Sequence, residues 1–178
     1  MSGSNRSMML YEKVGKVLGE LEMEYTPDGE DKSFRFSMGI KSKIRRIAFK
    51  IAVFDDAILV CAVSPAAAPY RDKKRMREAT EMICRINYGL RGGSFDLDVR
   101  DGTLLFRCWL DCEGADPSDV MIRNAVGGAV AMFDRYGDAV FDVFRGAAPA
   151  REAVLRAERA ARGTGCPGAE DDGAGDGD

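Results

Sequence analysis

Asp96, Asp98 and Asp101 lie close together and are followed by Gly102, a density of oxygen donors that raises calcium binding as a chemistry. A calcium loop of the EF-hand kind needs donors at its first, third and fifth positions, glycine at the sixth and glutamate at the twelfth. Here Arg100 holds the fifth position and the glycine comes one residue late, so the pattern makes no cation site. The cysteines, Cys61, Cys84, Cys108, Cys112 and Cys166, form no CxxC pair and are odd in number. They read as free thiols of a reducing compartment. Cys108 and Cys112 lie four apart on an extended segment, which separates them by roughly 13 Å, too far for a disulfide. The chain contains no histidine, which excludes Ser-His-Asp and Cys-His catalysis and His-ligated zinc. Every acidic pair sits in a polar context, without the burial that would split two carboxylates into acid and base. Val126-Gly127-Gly128-Ala129 falls inside a helix instead of following a strand, so its glycines serve close packing and not a phosphate loop. The expectation is a non-enzymatic protein with no catalytic residue, no metal and no cofactor.

Charge carries more. The net charge of −3 averages −2 over residues 1–40, +7 over 41–91 and −8 over 92–178. The cations gather in Lys41, Lys43, Arg45, Arg46 and Lys50, and again in Arg71, Lys73, Lys74, Arg75 and Arg77. These ten are the candidates for docking an anionic surface, nucleic acid included. No aromatic residues are interleaved with them for base stacking. Solvated faces that balance the acidic hairpin explain the same residues without a ligand, and the acidic tail folding back on them is a further reading.

The elements that must position these groups follow from periodicity. Over 8–24, Met9, Leu10, Lys13, Val14, Val17, Leu18 and Leu21 form a helical stripe with Ser7 as its cap. The stretch 25–32, with Pro27 and Gly29, breaks it. Phe34, Phe36 and Met38 then alternate with Arg35 and Ser37. Ile47, Phe49, Ile51 and Val53 alternate with Arg46 and Lys50, and 57–63 is apolar on both faces, as a central strand would be. A second helix spans 70–90, stopped by Gly92-Gly93. Strands follow at 94–100 and from 104, joined by an Asp101-Gly102 turn, with Leu104, Phe106, Cys108 and Leu110 inward and Leu105, Arg107 and Trp109 outward. Asp116-Pro117 opens a helix to Tyr136, ended by Gly137, with a short helical piece over 138–145.

The order is α-β-β-β-α-β-β-α. With polar outer faces on all strands but the third, this predicts an α+β fold: an antiparallel sheet with helices packed on one face. At 178 residues, 46% hydrophobic and 31% charged, the chain is long enough to bury roughly 70% of its unfolded surface in one domain. That domain is expected over 8–146, followed by an Ala/Arg-rich helical arm over 147–162 and a disordered acidic Gly-rich tail over 163–178. Leu105 and Trp109, outward on an otherwise polar sheet, are the partner-binding candidates unless the arm covers them. The polar start and apolar runs far shorter than the ~20 residues of a membrane span predict a cytoplasmic protein with no membrane contact.

Arg85-Ile86-Asn87-Tyr88-Gly89-Leu90, then Gly93-Ser94-Phe95-Asp96-Leu97, then Asp101-Gly102 before Phe106-Arg107 resemble the core of the YbjN-like family, bacterial sensory transduction regulators. Tyr136-Gly137-Asp138-Ala139-Val140 to Val143-Phe144-Arg145-Gly146 resembles that family's C-terminal helix. The likeness covers roughly residues 10–146. It implies the fold shared with type III secretion chaperones, and a regulatory or chaperone-like, protein-binding role, as a homodimer with an unidentified protein partner. Within the motif, Asn87 falls on the inner side of its helix, where its amide can bond the strand connection. Gly92 and Gly93 fit positions of positive φ. The alternative function is a nucleic-acid-binding regulator that uses 41–50 and 71–77.

Overall fold

The computed structural model describes residues 3–163. Helix α1 (Gly3–Glu20) buries Leu10, Val14, Val17 and Leu18, while Met9 and Leu21 are left exposed. It starts before Ser7, which is buried inside the helix and is not its cap. Strand β1 (Thr26–Asp28) follows within the stretch read only as a breaker. Its proline is tolerated because β1 is the sheet edge, where one face of the ladder needs no donor. Strands β2 (Ser33–Gly39), β3 (Arg46–Val53) and β4 (Ala57–Val63) form the expected meander.

Helix α2 (Lys73–Tyr88) is capped by Asp72, whose side chain accepts from the backbone N–H groups of Lys74 and Arg75. It ends at Gly89, three residues before the glycine pair expected to stop it. Strand β5 (Ser94–Leu97) is shorter than the alternation implied, because Asp98 already belongs to the turn. The Asp98 N–H donates to the Thr103 carbonyl and the Gly102 N–H to the Asp98 carbonyl, so the connection spans 98–103 and is not a two-residue Asp-Gly turn. Strand β6 (Leu104–Asp111) returns through the sheet centre. All pairings are antiparallel, in the order β1-β2-β3-β4-β6-β5.

The Asp98 carboxylate accepts from the backbone and guanidinium of Arg100, and these hydrogen bonds hold it down at about 2 from an ordinary 3.8. A lowered carboxylate pKa contributes stability above the unfolded value that is lost as pH falls through the folded one. Acid titration of stability should therefore lose a contribution between about pH 4 and pH 2 that Asp98→Asn lacks. Matching urea midpoints for the two proteins across that window would refute the assignment.

Helix α3 (Asp119–Arg145) is capped by Ser118, two residues after the expected Asp116, and runs unbroken through Gly137. Gly137 is no stop. A Cβ there would stand 2.2 Å from Ser42 Oγ, so the glycine admits the β2–β3 loop against the helix. That loop is tied down by an acidic ladder on α3. Asp134 accepts from the Lys41 N–H at 2.6 Å, Asp138 from the Lys43 N–H at 2.7 Å, and Asp142 from Lys43 Nζ at 2.6 Å. Their spacing of four residues sets all three on one helix face.

The stretch expected as an arm over 147–162 holds α4 (Ala150–Gly163), which takes in Gly163 of the expected tail and lies against α2 and α3 with Ala150, Ala153 and Val154 buried. The small alanines of this face allow close approach. The core lies between the inner sheet face and the helices, as the α+β reading predicts. Ile47, Ile51, Ile58, Val60 and Leu104 from the sheet share one buried cluster with Leu10, Val14 and Leu18 of α1 and Ile122, Ala129, Phe133 and Val140 of α3. Residues 164–178, which hold most of the expected tail and Cys166, lie outside the described residues. Among the described residues, no helix is long and apolar enough to cross a membrane.

Candidate functional site

Among the described residues, no helix lies on the outer face of the sheet. Its side chains come into cross-strand rows because side chains on one face recur every second residue. One row runs Ser33, Ala52, Leu59, Trp109; the next runs Arg35, Lys50, Cys61, Arg107; the third runs Ser37, Ala48, Val63, Leu105. Two largely apolar rows thus flank a basic one. Trp109 is 56% exposed and stacks with Phe54, its ring centroid 6.2 Å away and that residue 44% exposed.

Leu105 and Trp109 both point outward, as alternation predicts, but the sheet beside them is not the otherwise polar one expected. β4 stands between β3 and β6, so Leu59 and Val63 face them across the strand, and Lys50 lies a strand further away. Phe54 and Leu59 belong to this apolar face and escaped the sequence reading. α4 packs against α2 and α3 and does not cover Trp109.

Arg46 and Lys50 stand on the outer sheet face, exposed and without an ion pair among the described residues. Lys41, Lys43 and Arg45 occupy the β2–β3 loop, where Lys43 pairs with Asp142 and lies 6.0 Å from the centre of the Phe141 ring. Lys73, Lys74 and Arg75 open α2, with Arg77 exposed in the next turn. Arg75 pairs with Asp72 and lies beside Gly146, and Arg71 stacks on Tyr70. Asp142 and Gly146 are one helical turn apart, so the structure brings Lys43 and Arg75 to the same end of α3. It leaves Arg46 and Lys50 on the sheet. Cations at a helix C-terminus also offset its dipole, which accounts for part of this clustering without a ligand. The α3–α4 cleft beside it, about 240 Å³, is lined by Lys43, Asp142 and Arg156, and both cations already pair with the Asp142 carboxylate.

Burial pushes the thiols of Cys61, Cys108 and Cys112 up from their ordinary value, and for Cys61 it outweighs the opposing pull of Arg107 and Lys50. A protonated thiol is a poor nucleophile and a poor metal ligand. Among the described residues, no group of three or more His, Cys, Asp or Glu could hold a metal ion.

The motif residues do structural work. Asn87 Nδ2 donates to the Phe95 carbonyl at 2.8 Å, and the Phe95 N–H donates to Asn87 Oδ1 at 2.9 Å, so α2 clamps the edge of β5 as a neighbouring strand would. Gly93 has φ +73°, and a Cβ there would meet the Phe106 ring at 2.5 Å. Gly92, by contrast, does not take a positive φ.

No curated protein matches the chain. Among solved structures it is similar to YbjN from E. coli, described as "a putative transcription regulator", at TM-score 0.50 and 14% identity over 71% of this chain and 90% of that one. A structure of an uncharacterized protein from Methanothermobacter thermautotrophicus aligns at TM-score 0.40 with 19% identity, covering 87% of this chain and 98% of that one. The first likeness supports the α+β sheet-and-helix architecture alone. The family model described as "Putative bacterial sensory transduction regulator" matches residues 11–142, a span that contains the Asn87 clamp, the Gly93 turn and the α3 ladder. With its motif accounted for residue by residue and the match spanning most of its length, the chain belongs to the YbjN family.

Proposed function

We propose that this protein is a non-enzymatic, cytoplasmic regulator that acts by binding another protein through the open face of its sheet, as a homodimer. The observation that carries this reading is the Phe54–Trp109 stack beside Leu59 and Leu105 on a face that no element of the described residues covers. Contiguous exposed apolar groups around a Trp are the usual anchors of protein interfaces, and Lys50 beside them, whose row-mates Arg35 and Arg107 already pair with Asp28 and Asp96, favours an acidic rim on the partner.

The test is photo-cross-linking in cells with benzoylphenylalanine in place of Trp109. Adducts to a second protein are expected, weakened at least tenfold by Leu105→Glu. Absence of any heterologous adduct would sink the reading, and light scattering at the monomer mass would remove its dimeric part. A nucleic-acid-binding regulator is the competing reading, favoured by the meeting of Lys43 and Arg75 at the end of α3. It requires affinity for DNA or RNA that falls steeply with salt and with alanine at Lys73, Lys74 and Arg77.

A further inference from the structure

The two sides of β6 are unequally covered. β4 pairs with it from Leu105 to Asp111, whereas β5 pairs only from Leu104 to Arg107, because the chain leaves the sheet at Gly93. Among the described residues, the stretch Cys108–Asp111 therefore has a neighbouring strand on one side alone. The direction of its backbone groups can be read from the clamp. The N–H and C=O of Phe95 turn outward to Asn87, so the hydrogen-bonded pairs of this ladder are Ser94 with Arg107 and Asp96 with Leu105. Continuing that alternation, the N–H and C=O of Trp109 and of Asp111 point to the open side. Elsewhere the sheet edges are blunted, by Pro27 on β1 and by Asn87 on β5.

A groove of about 580 Å³ adjoins this open edge. Phe106, Cys108 and Leu110 line it from the inner sheet face, and Met121, Ala125, Gly128 and Met132 line it from α3. Cys108 and Leu110 are only half-buried although they point inward, since α3 does not close over them. Gly128 was expected to permit close packing, yet a Cβ there meets no atom within 4 Å. A glycine inside a helix costs about 1 kcal/mol against alanine, and nothing within the described chain uses the space it leaves. The two charged residues of the lining, Arg91 and Arg135, are both cations and neither forms an ion pair among the described residues.

We propose that the open edge of β6 at Trp109 and Asp111, with the adjoining groove on α3, receives an extended segment of a partner polypeptide that alternates apolar side chains and carries carboxylates opposite Arg91 and Arg135. The segment adds to the sheet as a strand continuing the line of β5. One row of its side chains enters the groove, and the other lies beside Trp109 on the outer face. Charge complementarity selects an acidic segment over a basic one. The inference deepens the protein-binding reading and rests on it, but it assigns a separate surface.

The test uses short linear peptides selected from a random display library on the full chain. The expected peptides alternate apolar residues and contain Asp or Glu. Their binding should fall at least tenfold in Gly128→Leu, whose side chain fills the groove without harming the helix, and hold in Gly127→Leu, which lies outside the lining. Trp109→Pro, which removes the edge N–H, should weaken binding beyond Trp109→Ala. On binding, the Trp109 and Asp111 amides should gain protection from hydrogen exchange. Equal affinity for Gly128→Leu and Gly127→Leu, or recovery of no peptides, would overturn the proposal, whereas cross-links from position 109 that persist undiminished in Gly128→Leu would still support the sheet-face reading. Protection of those amides in the free full chain would assign the groove to the chain's own acidic segment at 164–178 and also overturn it.

Discussion

Gly102→Ala is expected to lower stability by about 3 kcal/mol in urea unfolding, a large loss for the addition of one methyl group. Two costs combine. Gly102 has φ +79°, a conformation that costs an L-residue roughly 1–2 kcal/mol. Its Cβ would also stand 2.1 Å from the Ala68 carbonyl oxygen, a backbone atom that no rotamer change can move aside. Relief requires the 64–69 connection to retreat, which breaks the bond from the Ala68 N–H to the Gly102 carbonyl at 2.8 Å. Gly114 supplies the control, with φ +75° and no atom within 4 Å of its Cβ position. Gly114→Ala should lose only the strain, about 1 kcal/mol. Equal losses at the two sites would show that the Ala68 contact contributes nothing.

Replacing Asn87 by alanine should cost about 2–4 kcal/mol and expose the Phe95 amide to exchange. Both polar backbone groups of Phe95 rely on this one side chain, and removing it leaves a donor and an acceptor unpaired at a partly buried strand edge. The damage reaches the core because the Phe95 ring packs edge-on against Phe106 and Phe133 at 5.1 and 5.2 Å. Asn87→Asp keeps the acceptor for the Phe95 N–H but turns a second oxygen toward the Phe95 carbonyl. It should be destabilised at neutral pH and partly recover once the carboxyl is protonated and donates. An unchanged exchange rate for the Phe95 amide in Asn87→Ala would contradict the clamp.

Much of this architecture was legible in the chain because burial imposes a period. The β3 alternation of Ile47, Phe49, Ile51 and Val53 against Arg46 and Lys50 places a core face and a solvent face without further information. The role of Asn87 could be read too, since a lone amide on the inner side of a helix end needs a nearby backbone partner. Elements decided by distant contacts were not legible. Gly137 carries the local signature of a helix stop, and only the approach of Ser42 explains why the helix passes through it. β1 is three residues long, contains proline and exists because Arg35, Phe34 and Ser33 pair with it. The outward direction of Leu105 and Trp109 followed from alternation, whereas their apolar neighbours depended on which strand lies next to β6. The β6 groove arises from a difference in length between β5 and β6, which no local pattern encodes. Its one trace in the sequence, a glycine pair inside a helix, read more simply as tight packing.

The acidic ladder on α3 also sets an order of events during synthesis. Lys41 and Lys43 leave the ribosome more than 90 residues ahead of Asp134 and Asp138, the carboxylates that hold their loop. Until α3 has emerged, the β2–β3–β4 meander has only α1 to cover part of its inner apolar face and no anchor for its loop. Closing contacts over so long a separation is slow, and sheets left bare in the interval are prone to aggregate. A pause in translation before residue 119 would leave a nascent chain with much of its sheet made and its α3 cover missing. The last helices to be made therefore decide whether the first strands survive.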